Sequence, residues 1–343
     1  MIAAAVAAPL NAENIRVCIF HTELERKAPG LLYRGVLQGE DDVSAAASRV
    51  AMARCEILLL LDFDFDHHLL TLKAFADLVQ DHGGPDYPHA FALRPNTGRP
   101  SFVDLNMDGR LGTPKDAQGY GRFSGQGGMA LLSTYPMRSD RVEDHSAIPW
   151  AEVEWAELPQ LNGVPFYSPE VNETLRLSTT GHWVVPIAIS ETQSLHLLAY
   201  HASPPAFDGP ENRNGLRNAD ETRFWARYLD NRNVPIPVVV GGANLDPHRG
   251  DGNHDAIREL ISHPALQDPF ENGFSTVDWT DIGLGLMRSD YVLPSANLSV
   301  TDAGAVWGDI SRDIESRHAV VWVDLELPTP AAPVMLETSA MTQ

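Results

Sequence analysis

Residues 238–252, VVVGGANLDPHRGDG, are the stretch whose residue types and spacing most clearly suggest chemistry. Apolar, β-branched residues predict a buried strand, and a Gly-Gly pair, Asn244 and an Asp-Pro pair follow it directly. Loops at strand ends often carry functional groups because a rigid scaffold positions them. The position best suited to a carboxylate nevertheless holds Gly242. The segment therefore predicts an active site that lacks one acidic group or a site built for another purpose, and plain turn chemistry is the structural alternative.

Other predicted strands begin or end at polar residues in the same way: His21, Asp62 with Asp64 and Asp66, His201, Asp290 and His318. Packed strands of one sandwich would bring these positions to a single rim. Hard divalent cations prefer carboxylate oxygens as ligands. A bound metal polarises a phosphoryl group, and a histidine oriented by an aspartate can donate protons. The set therefore predicts metal-assisted hydrolysis of a phosphoester.

Each of these residues also has a structural interpretation. The alternation of Asp62, Asp64 and Asp66 places all three on one face of a strand, where a solvated edge or helix-entry charges are favoured on spacing alone. Taken singly, His201 and His318 are best explained as core or rim histidines with satisfied hydrogen bonds. Only the recurrence of such residues at strand ends favours a functional site.

The elements that must position these residues alternate between strand and helix. We predict strands at residues 15–20, 56–61, 90–95, 127–134, 182–189, 194–201, 234–242, 289–294 and 318–327. Helices are predicted at 41–53, capped by Asp42 or Ser44, and at 69–82, 220–230 and 253–262. Two polar excursions, 87–128 and 202–218, separate some of them. The pattern predicts layers with helices outside and one domain over 15–327, flanked by an arm at 1–14 and a loose tail at 328–343.

Length, composition and charge exclude several classes of protein. The chain has 343 residues, 43% of them apolar, and no run of eighteen apolar residues, so no membrane span is expected. Lysine and arginine total 25 against 46 acidic residues, a net charge of −21. Tight binding to nucleic acid is not expected, because it needs a positive surface. A small anionic substrate requires a local positive group or a metal. The oligomeric state is left open.

The two cysteines and the first residues bear on the cellular compartment. Cys18 and Cys55 lie in or beside apolar runs, so two buried thiols are the favoured interpretation, with a disulfide left open. The small, apolar start lacks a basic region, and a trimmed export signal is slightly favoured over a loose arm. We therefore expect an exported protein, and a cytoplasmic location stays open.

The order of motifs resembles the endonuclease/exonuclease/phosphatase superfamily with the DNase I-like fold, in particular a bacterial, usually exported branch of unassigned substrate. Six segments, spread over residues 15–327, carry the resemblance: ILLLLDFDFD, DAQGYGRFSGQGGMALLSTYPM, LHLLAYHASPPAFDGPENRNGLRNADETRFW, GGANLDPHRGDG, SDYVLPSANLSVTDAGAVW and SRHAVVWVDLEL. It implies a four-layer α/β-sandwich, two packed mixed sheets flanked by helices, with a metal-dependent site on one rim. The expected cofactor is Mg²⁺, Mn²⁺ or Ca²⁺.

Several acidic positions of the family's site are altered here. The metal-binding Glu corresponds to Asp62, shorter by one methylene. The Asp that positions the attacking water is replaced by Gly242, and the Asp of the family's S-D-H motif by Arg317. Losing the water-positioning carboxylate is expected to cost a large factor in rate. Arg317 disfavours a cation at its position and is suited to binding an anion.

Other positions are substituted or retained. The family's Asn after the first strand is His21, and the residue before the metal-binding carboxylate, often Asn in this branch, is Leu61. Asn244, His201 and Asp290 match the family pattern. His318 also matches and corresponds to the histidine that contacts the phosphate.

Two functional hypotheses follow, with a third that we rank last. In the first, a phosphoester hydrolase keeps Asp62 and Asp64 as metal ligands, binds phosphoryl oxygens with Asn244 and His201, and uses His318, oriented by Asp290. In the second, a non-catalytic binder holds an anionic ligand or a protein partner. This binder would use His21, Arg317 and His318. In the third, the residues His21, His201, His318 and Asp62 form a transition-metal site.

Overall fold

The structure, a computed structural model, describes residues 14–309 and 315–327. The predicted arm and tail lie almost entirely outside these residues. The strands are β1 (Asn14–His21), β2 (Ile57–Phe63), β3 (His89–Phe91), β4 (Gly128–Ser133), β5 (Glu143–Asp144), β6 (Gln160–Leu161), β7 (Val164–Pro165), β8 (Gly181–Ala188), β9 (Ser194–His201), β10 (Pro237–Gly242), β11 (Val277–Trp279), β12 (Gly285–Met287), β13 (Asp290–Pro294), β14 (Ser299–Val306) and β15 (Val320–Glu326). The α-helices are α1 (Leu31–Gln38), α2 (Asp41–Ala53), α3 (Leu70–Asp81), α4 (Pro169–Thr174), α5 (Arg213–Asn231) and α6 (His254–Ile261). Within the described part of the chain, no helix is long and apolar enough to span a membrane.

Two large mixed sheets form the centre of the fold. One sheet has the order β14-β15-β1-β2-β4-β3, and the other has the order β13-β10-β9-β8-β5. The first contains a parallel pair, β1 with β2, and the second contains the parallel pair β9 with β10. Parallel neighbours end at the same edge of a sheet, so each parallel pair places two strand ends side by side.

Side-chain alternation along the strands builds the layers. On β1, Val17 and Ile19 pack between the two sheets, whereas Cys18 and Phe20 face the helices α1, α2 and α3. The outer face of the second sheet packs on α5 and α6, where Trp225 is fully buried. Both faces of each central strand are thus apolar, so the sequence of each such strand is an unbroken run of apolar residues. The result is the expected four-layer α/β-sandwich.

A disulfide joins the two cysteines. Cys18 on β1 and Cys55, two residues before β2, are bonded, with their Cα atoms 5.9 Å apart. The preference for two free thiols is therefore wrong. Burial of each residue was expected correctly, but the sequence did not indicate that the chain enters β2 with Cys55 close to Cys18 of the neighbouring strand.

Local predictions also need correction. Helix α5 begins at Arg213, so part of the predicted excursion 202–218 is helical. Helix α2 begins after Glu40 with no side-chain cap, and the proposed caps Asp42 and Ser44 instead bond to the Val43 N–H and to the Gly39 carbonyl. The sequence did not predict eight elements: α1, α4, β5, β6, β7, β11, β12 and β14.

Candidate active site

Five strands bring polar side chains to one rim of the sandwich. His21 and Asp62 lie at the adjacent ends of the parallel strands β1 and β2. In the other sheet, Gly242 pairs in register with both His201 and Asp290. His318, just before β15, packs its ring on that of His21 with the centroids 4.0 Å apart. The strand ends that the sequence singled out therefore converge.

The centre of the rim is a buried pair of Asp290 and His318. The His318 Nδ1 atom lies 2.7 Å from Asp290 Oδ2. The same oxygen accepts hydrogen bonds from the Thr276 hydroxyl at 3.1 Å and the Ser289 hydroxyl at 2.9 Å. Burial opposes ionisation of Asp290, but His318 and His21 outweigh it and hold the pKa of Asp290 far below its usual range. Asp290 thus fixes the orientation of the His318 ring.

His21 is a positively charged bridge between two carboxylates. Its Nε2 atom lies 2.9 Å from Asp62 Oδ2, and its Nδ1 atom lies 3.8 Å from Asp290 Oδ1. Burial opposes its charge, but Asp62 and Asp290 together raise the pKa of His21 well above the usual value. Burial lowers the pKa of His318, and the charge on His21 lowers it further. The pKa values of the two stacked histidines are therefore shifted in opposite directions.

Asp62 and His201 form the second half of the rim. Asp62 has a left-handed backbone with φ of 51°, and the pairing of β2 with β4 shifts register between Leu60 and Phe63. His201 Nδ1 lies 3.7 Å from Asp62 Oδ1. Burial lowers the pKa of His201 to about 4, so its ring is neutral at pH 7. Burial works against ionisation of Asp62, but His21 outweighs it and lowers the pKa of Asp62 to about 2.

The three predicted aspartates at this strand end do not share a face. The left-handed residue Asp62 breaks the alternation. Asp64 accepts backbone N–H groups of Gly127 and Arg26, each at 3.0 Å, and burial raises its pKa to about 6. Asp66 accepts N–H groups in the first turn of α3 and so supplies helix-entry charge. The expectation that all three lie on one strand face is therefore wrong.

Buried polar atoms without hydrogen-bond partners collect at the rim: His21 Nδ1, His201 Nδ1 and Asp290 Oδ1. Buried polar atoms are normally satisfied, so atoms of this kind indicate a bound water, ion or ligand. Two groups of residues present ligand atoms within 4.8 Å of one another, His21-Asp62-His201 and His21-Asp290-His318. Two ligands of one tetrahedral ion lie about 3.4 Å apart when each is about 2.1 Å from the metal. The separations at the rim fit a small cation after modest adjustment.

Gly242 has no room for a side chain in the present packing. A Cβ atom there would lie 2.6 Å from Leu61 Cδ1 and 3.1 Å from His201 Cδ2. Leu61 is fully buried and points into the space in which a carboxylate at position 242 would stand. The two departures from the family pattern, at positions 61 and 242, are therefore sterically linked.

Two other predicted residues are engaged in bonds at the edge of the rim. Arg317 bonds to Glu23, with Nη2 2.5 Å from Oε1, and its Nη1 atom lies 3.4 Å from Asp281 Oδ2. Its charge is therefore balanced by two carboxylates. Asn244 has a left-handed backbone with φ of 52°, and its amide donates to the Ala202 carbonyl at 2.8 Å.

Two acidic residues at the rim were missed. Glu23 pairs with Arg317, as described above. Burial raises the pKa of Glu25 to about 7, and the charge on Asp62 contributes to the rise. Both follow β1 in a loop, residues 22–30, where the repeated carboxylates two and four positions past His21 were the available signal.

The sandwich and its rim define a fold of the phosphoesterase type. The chain belongs to the Endonuclease/Exonuclease/phosphatase family, which matches residues 35–318. A search among curated proteins found no match.

Solved structures show the same fold. An endonuclease/exonuclease/phosphatase from Beutenbergia cavernae DSM 12333 is similar with a TM-score of 0.57 and 16% identity, over 92% of this chain and 72% of that one. A mutant beta toxin from Staphylococcus aureus with bound magnesium ions is similar with a TM-score of 0.52 and 11% identity, over 91% of this chain and 99% of that one. Sphingomyelinase C from Streptomyces griseocarneus is similar with a TM-score of 0.50 and 16% identity, over 91% of this chain and 99% of that one. At these identities the likeness concerns the fold.

Proposed function

We propose that this protein is a metal-dependent hydrolase of a small phosphoester whose active site is weakened by the loss of one carboxylate. The observation that carries the proposal is the buried pair of Asp290 and His318, with 2.7 Å between oxygen and nitrogen, at a rim whose neighbouring polar atoms lack partners. A histidine fixed by a carboxylate in this way is suited to general acid catalysis.

The donor set around Asp62 suits a divalent cation. Asp62, His201 and, after loss of its extra proton, His21 would hold it, with Mg²⁺, Mn²⁺ or Ca²⁺ as the candidates. Two imidazole nitrogens make Mg²⁺ and Ca²⁺ less suitable than Mn²⁺, because Mg²⁺ and Ca²⁺ are hard cations that take oxygen ligands. Such an ion supplies Lewis-acid polarisation of a phosphoryl oxygen. The two carboxylate oxygens of Asp64 accept the backbone N–H groups of Arg26 and Gly127. Asp64 would therefore act as a positioning residue that holds these two segments beside the metal site.

The charge of the rim favours a cation over direct binding of an anion. Asp62 and Asp290 are ionised at neutral pH, whereas His21 is the one rim histidine with a raised pKa. Arg317 is neutralised by its partners Glu23 and Asp281. An anionic substrate entering such a site would meet net negative charge unless a metal offset it.

The remaining residues are assigned by what they can donate. His318 would protonate the leaving oxygen or stabilise its charge, with Asp290 as its positioning residue. His201 and Asn244 would bind phosphoryl oxygens. His21 would hold Asp62 in place when no metal is bound, and Arg317, paired with Glu23 and Asp281, would fix the outer edge of the rim.

A second candidate is a catalytically degenerate member that binds an anionic ligand or a protein partner without hydrolysis. The packing of Leu61 against Gly242 favours it, because the space of the water-positioning carboxylate is filled by an apolar side chain. The metal-binding and hydrolytic proposal leads because the Asp290–His318 pair is retained in full.

We also propose an exported protein with a single domain at 15–327. The disulfide between Cys18 and Cys55 supports export, because disulfides persist in oxidising compartments. A net charge of −21 supports a small phosphoester rather than nucleic acid as the partner.

Chromogenic phosphomonoesters and phosphodiesters, tested with Mg²⁺, Mn²⁺ and Ca²⁺, distinguish the two candidates. Turnover that is lost in His318→Gln and kept in His68→Gln, a solvent-exposed histidine, supports the hydrolase. Metal binding without turnover of any ester supports the degenerate binder. Absence of both contradicts the metal-dependent account.

A further inference from the structure

The Nδ1 side of the His21 ring belongs to a second group of metal-ligating side chains. His21, Asp290 and His318 each present a ligand atom, and these atoms all lie within 4.8 Å of one another. The three residues are only 7%, 1% and 1% exposed, respectively. Two imidazole nitrogens and one carboxylate oxygen form a donor set that suits Zn²⁺. This group shares only His21 with the group around Asp62.

Two atoms of this second group face each other without a hydrogen bond. His21 Nδ1 and Asp290 Oδ1 are both buried and lack a hydrogen-bond partner. They lie 3.8 Å apart, which is too long for a hydrogen bond. A Zn²⁺ ion with bonds of about 2.1 Å to each atom would hold them about 3.4 Å apart, so only a small movement is needed. The ion would satisfy both atoms, as buried polar atoms normally require.

His318 supplies the third ligand from the other side of the same carboxylate. Its Nδ1 atom lies 2.7 Å from Asp290 Oδ2. Its ring packs on that of His21 with the centroids 4.0 Å apart. The Nδ1 atoms of both rings therefore approach Asp290, and one ion between them could contact all three side chains.

Neighbouring residues hold these ligands in the orientation that an ion needs. Asp62 Oδ2 lies 2.9 Å from His21 Nε2, so it would accept the proton of a neutral His21 and leave the Nδ1 lone pair directed at Asp290. The Thr276 and Ser289 hydroxyls donate to Asp290 Oδ2, so Oδ1 is left for the ion. A histidine whose other ring nitrogen donates to a carboxylate is the usual arrangement at protein metal sites.

We propose that His21 Nδ1, Asp290 Oδ1 and His318 Nδ1 bind one Zn²⁺ ion, and that this ion inhibits hydrolysis. Binding requires only these residues, whereas the inhibition rests on the proposed function. His21 would release its extra proton to solvent. His318, ligated through Nδ1 with its proton at Nε2, could not take up the further proton that it would give to a leaving group. A neutral imidazole has one lone pair, so His21 could not ligate the ion at Asp62 at the same time.

Calorimetric titration of Zn²⁺ into the metal-stripped full chain distinguishes this group from the group at Asp62. His318→Gln and His201→Gln are a matched pair, because each removes a histidine that belongs to only one of the two groups. The wild type should bind Zn²⁺ with a stoichiometry near one. His318→Gln should bind it at least about tenfold more weakly, and His201→Gln should bind it as the wild type does. Unchanged binding in His318→Gln, equal weakening in both variants or no Zn²⁺ binding to the wild type would overturn the proposal.

A measurement on the unaltered chain covers the case in which a variant does not fold. With ¹⁵N-labelled histidine, NMR spectra that correlate ring nitrogens with ring protons show which nitrogen of each histidine binds Zn²⁺. The proposed site requires two histidines ligated through Nδ1. Ligation at Asp62 would instead use Nε2 of His21 and Nδ1 of His201, which face that carboxylate. One histidine of each kind would therefore contradict the proposal.

The inhibition has its own assay. Zn²⁺ binds N and O ligands more tightly than Mn²⁺ does, so one equivalent of Zn²⁺ should lower the Mn²⁺-supported turnover of a chromogenic phosphoester at least about tenfold. Zn²⁺ binding with unchanged turnover would refute the inhibition and leave the ion site standing. Zn²⁺ binding in a protein that shows no turnover with Mn²⁺ would refute the proposed function, and the inhibition with it, but not the ion site.

Discussion

The steric link between Leu61 and Gly242 makes a quantitative prediction. Gly242→Ala adds one methyl group, which would lie 2.6 Å from Leu61 Cδ1. Overpacking a well-filled core in this way costs about 1–3 kcal/mol of unfolding free energy. Leu61→Ala deletes the obstructing atom and, as a buried leucine truncation, costs about 2–5 kcal/mol by itself.

The double variant should be more stable than the sum of the two changes implies. The methyl group added at position 242 occupies part of the space that the shortened side chain at position 61 leaves. We expect a coupling of at least about 1 kcal/mol, because residues in contact depart from additivity by about 0.5–3 kcal/mol. Urea unfolding followed by tryptophan fluorescence measures each of the four stabilities.

Leu60→Ala provides the matched control. Leu60 is an equally buried leucine on the same strand, but it faces the helices instead of the other sheet. Combined with Gly242→Ala, it should give additive effects within about 0.5 kcal/mol. Additivity in the Leu61 cycle as well would refute the idea that Leu61 fills the space of the missing carboxylate.

The same geometry governs any attempt to restore activity. Gly242→Asp alone meets Leu61, and Arg317→Asp would place a carboxylate against Glu23. Gly242→Asp in a Leu61→Ala background is the combination that the packing permits. It should raise phosphodiesterase turnover over Leu61→Ala alone by about tenfold or more, since a positioned base contributes about 10²–10⁴-fold.

Three further predictions concern catalysis, the disulfide and pH. Asp290→Asn should lower kcat by about 10²–10⁴-fold with little change in metal affinity, because the amide no longer fixes the His318 ring; an unchanged kcat contradicts this role. Replacing Cys18 and Cys55 by alanine should cost about 3–4 kcal/mol in urea unfolding, given their sequence separation of 37, and a loss below about 1 kcal/mol would contradict a bonded pair. Burial lowers the pKa of His182 to about 3, below its value in the unfolded chain. The free energy of unfolding should therefore fall by up to about 1.4 kcal/mol per pH unit as the pH drops below about 6.5. The His182→Gln variant should show a shallower fall with pH, and an equal fall in both proteins would contradict this prediction.

The layers of the fold were predictable because their physical signal is local. The apolar runs of β1, β2 and β10 are buried on both faces, so length and composition define them. The first half of α5 gave no such signal. Arg217 and Asn218 are buried there in hydrogen bonds to carbonyl groups, so the inward face of the helix is polar and apolar periodicity is absent.

Some features of the candidate site could likewise be predicted from the sequence, and others could not. Convergence of His21, Asp62 and His201 follows from strand ends meeting at one edge, which sequence patterns reveal. The partner of Arg317 was not predictable, because Glu23 lies 294 residues away in the chain and on a loop. Leu61 was noticed as a departure from the family, but its contact with Gly242 depends on the packing of two sheets, which only the structure gives.

The most direct test of the central claim, that the rim binds a divalent cation, is calorimetric titration of Mg²⁺, Mn²⁺ and Ca²⁺ into metal-stripped protein. The account predicts that Mn²⁺ binds with a stoichiometry near one and that adding Asp62→Ala abolishes this binding. Binding that is unchanged by Asp62→Ala, or no binding of any of the three ions, would contradict a metal site at this rim.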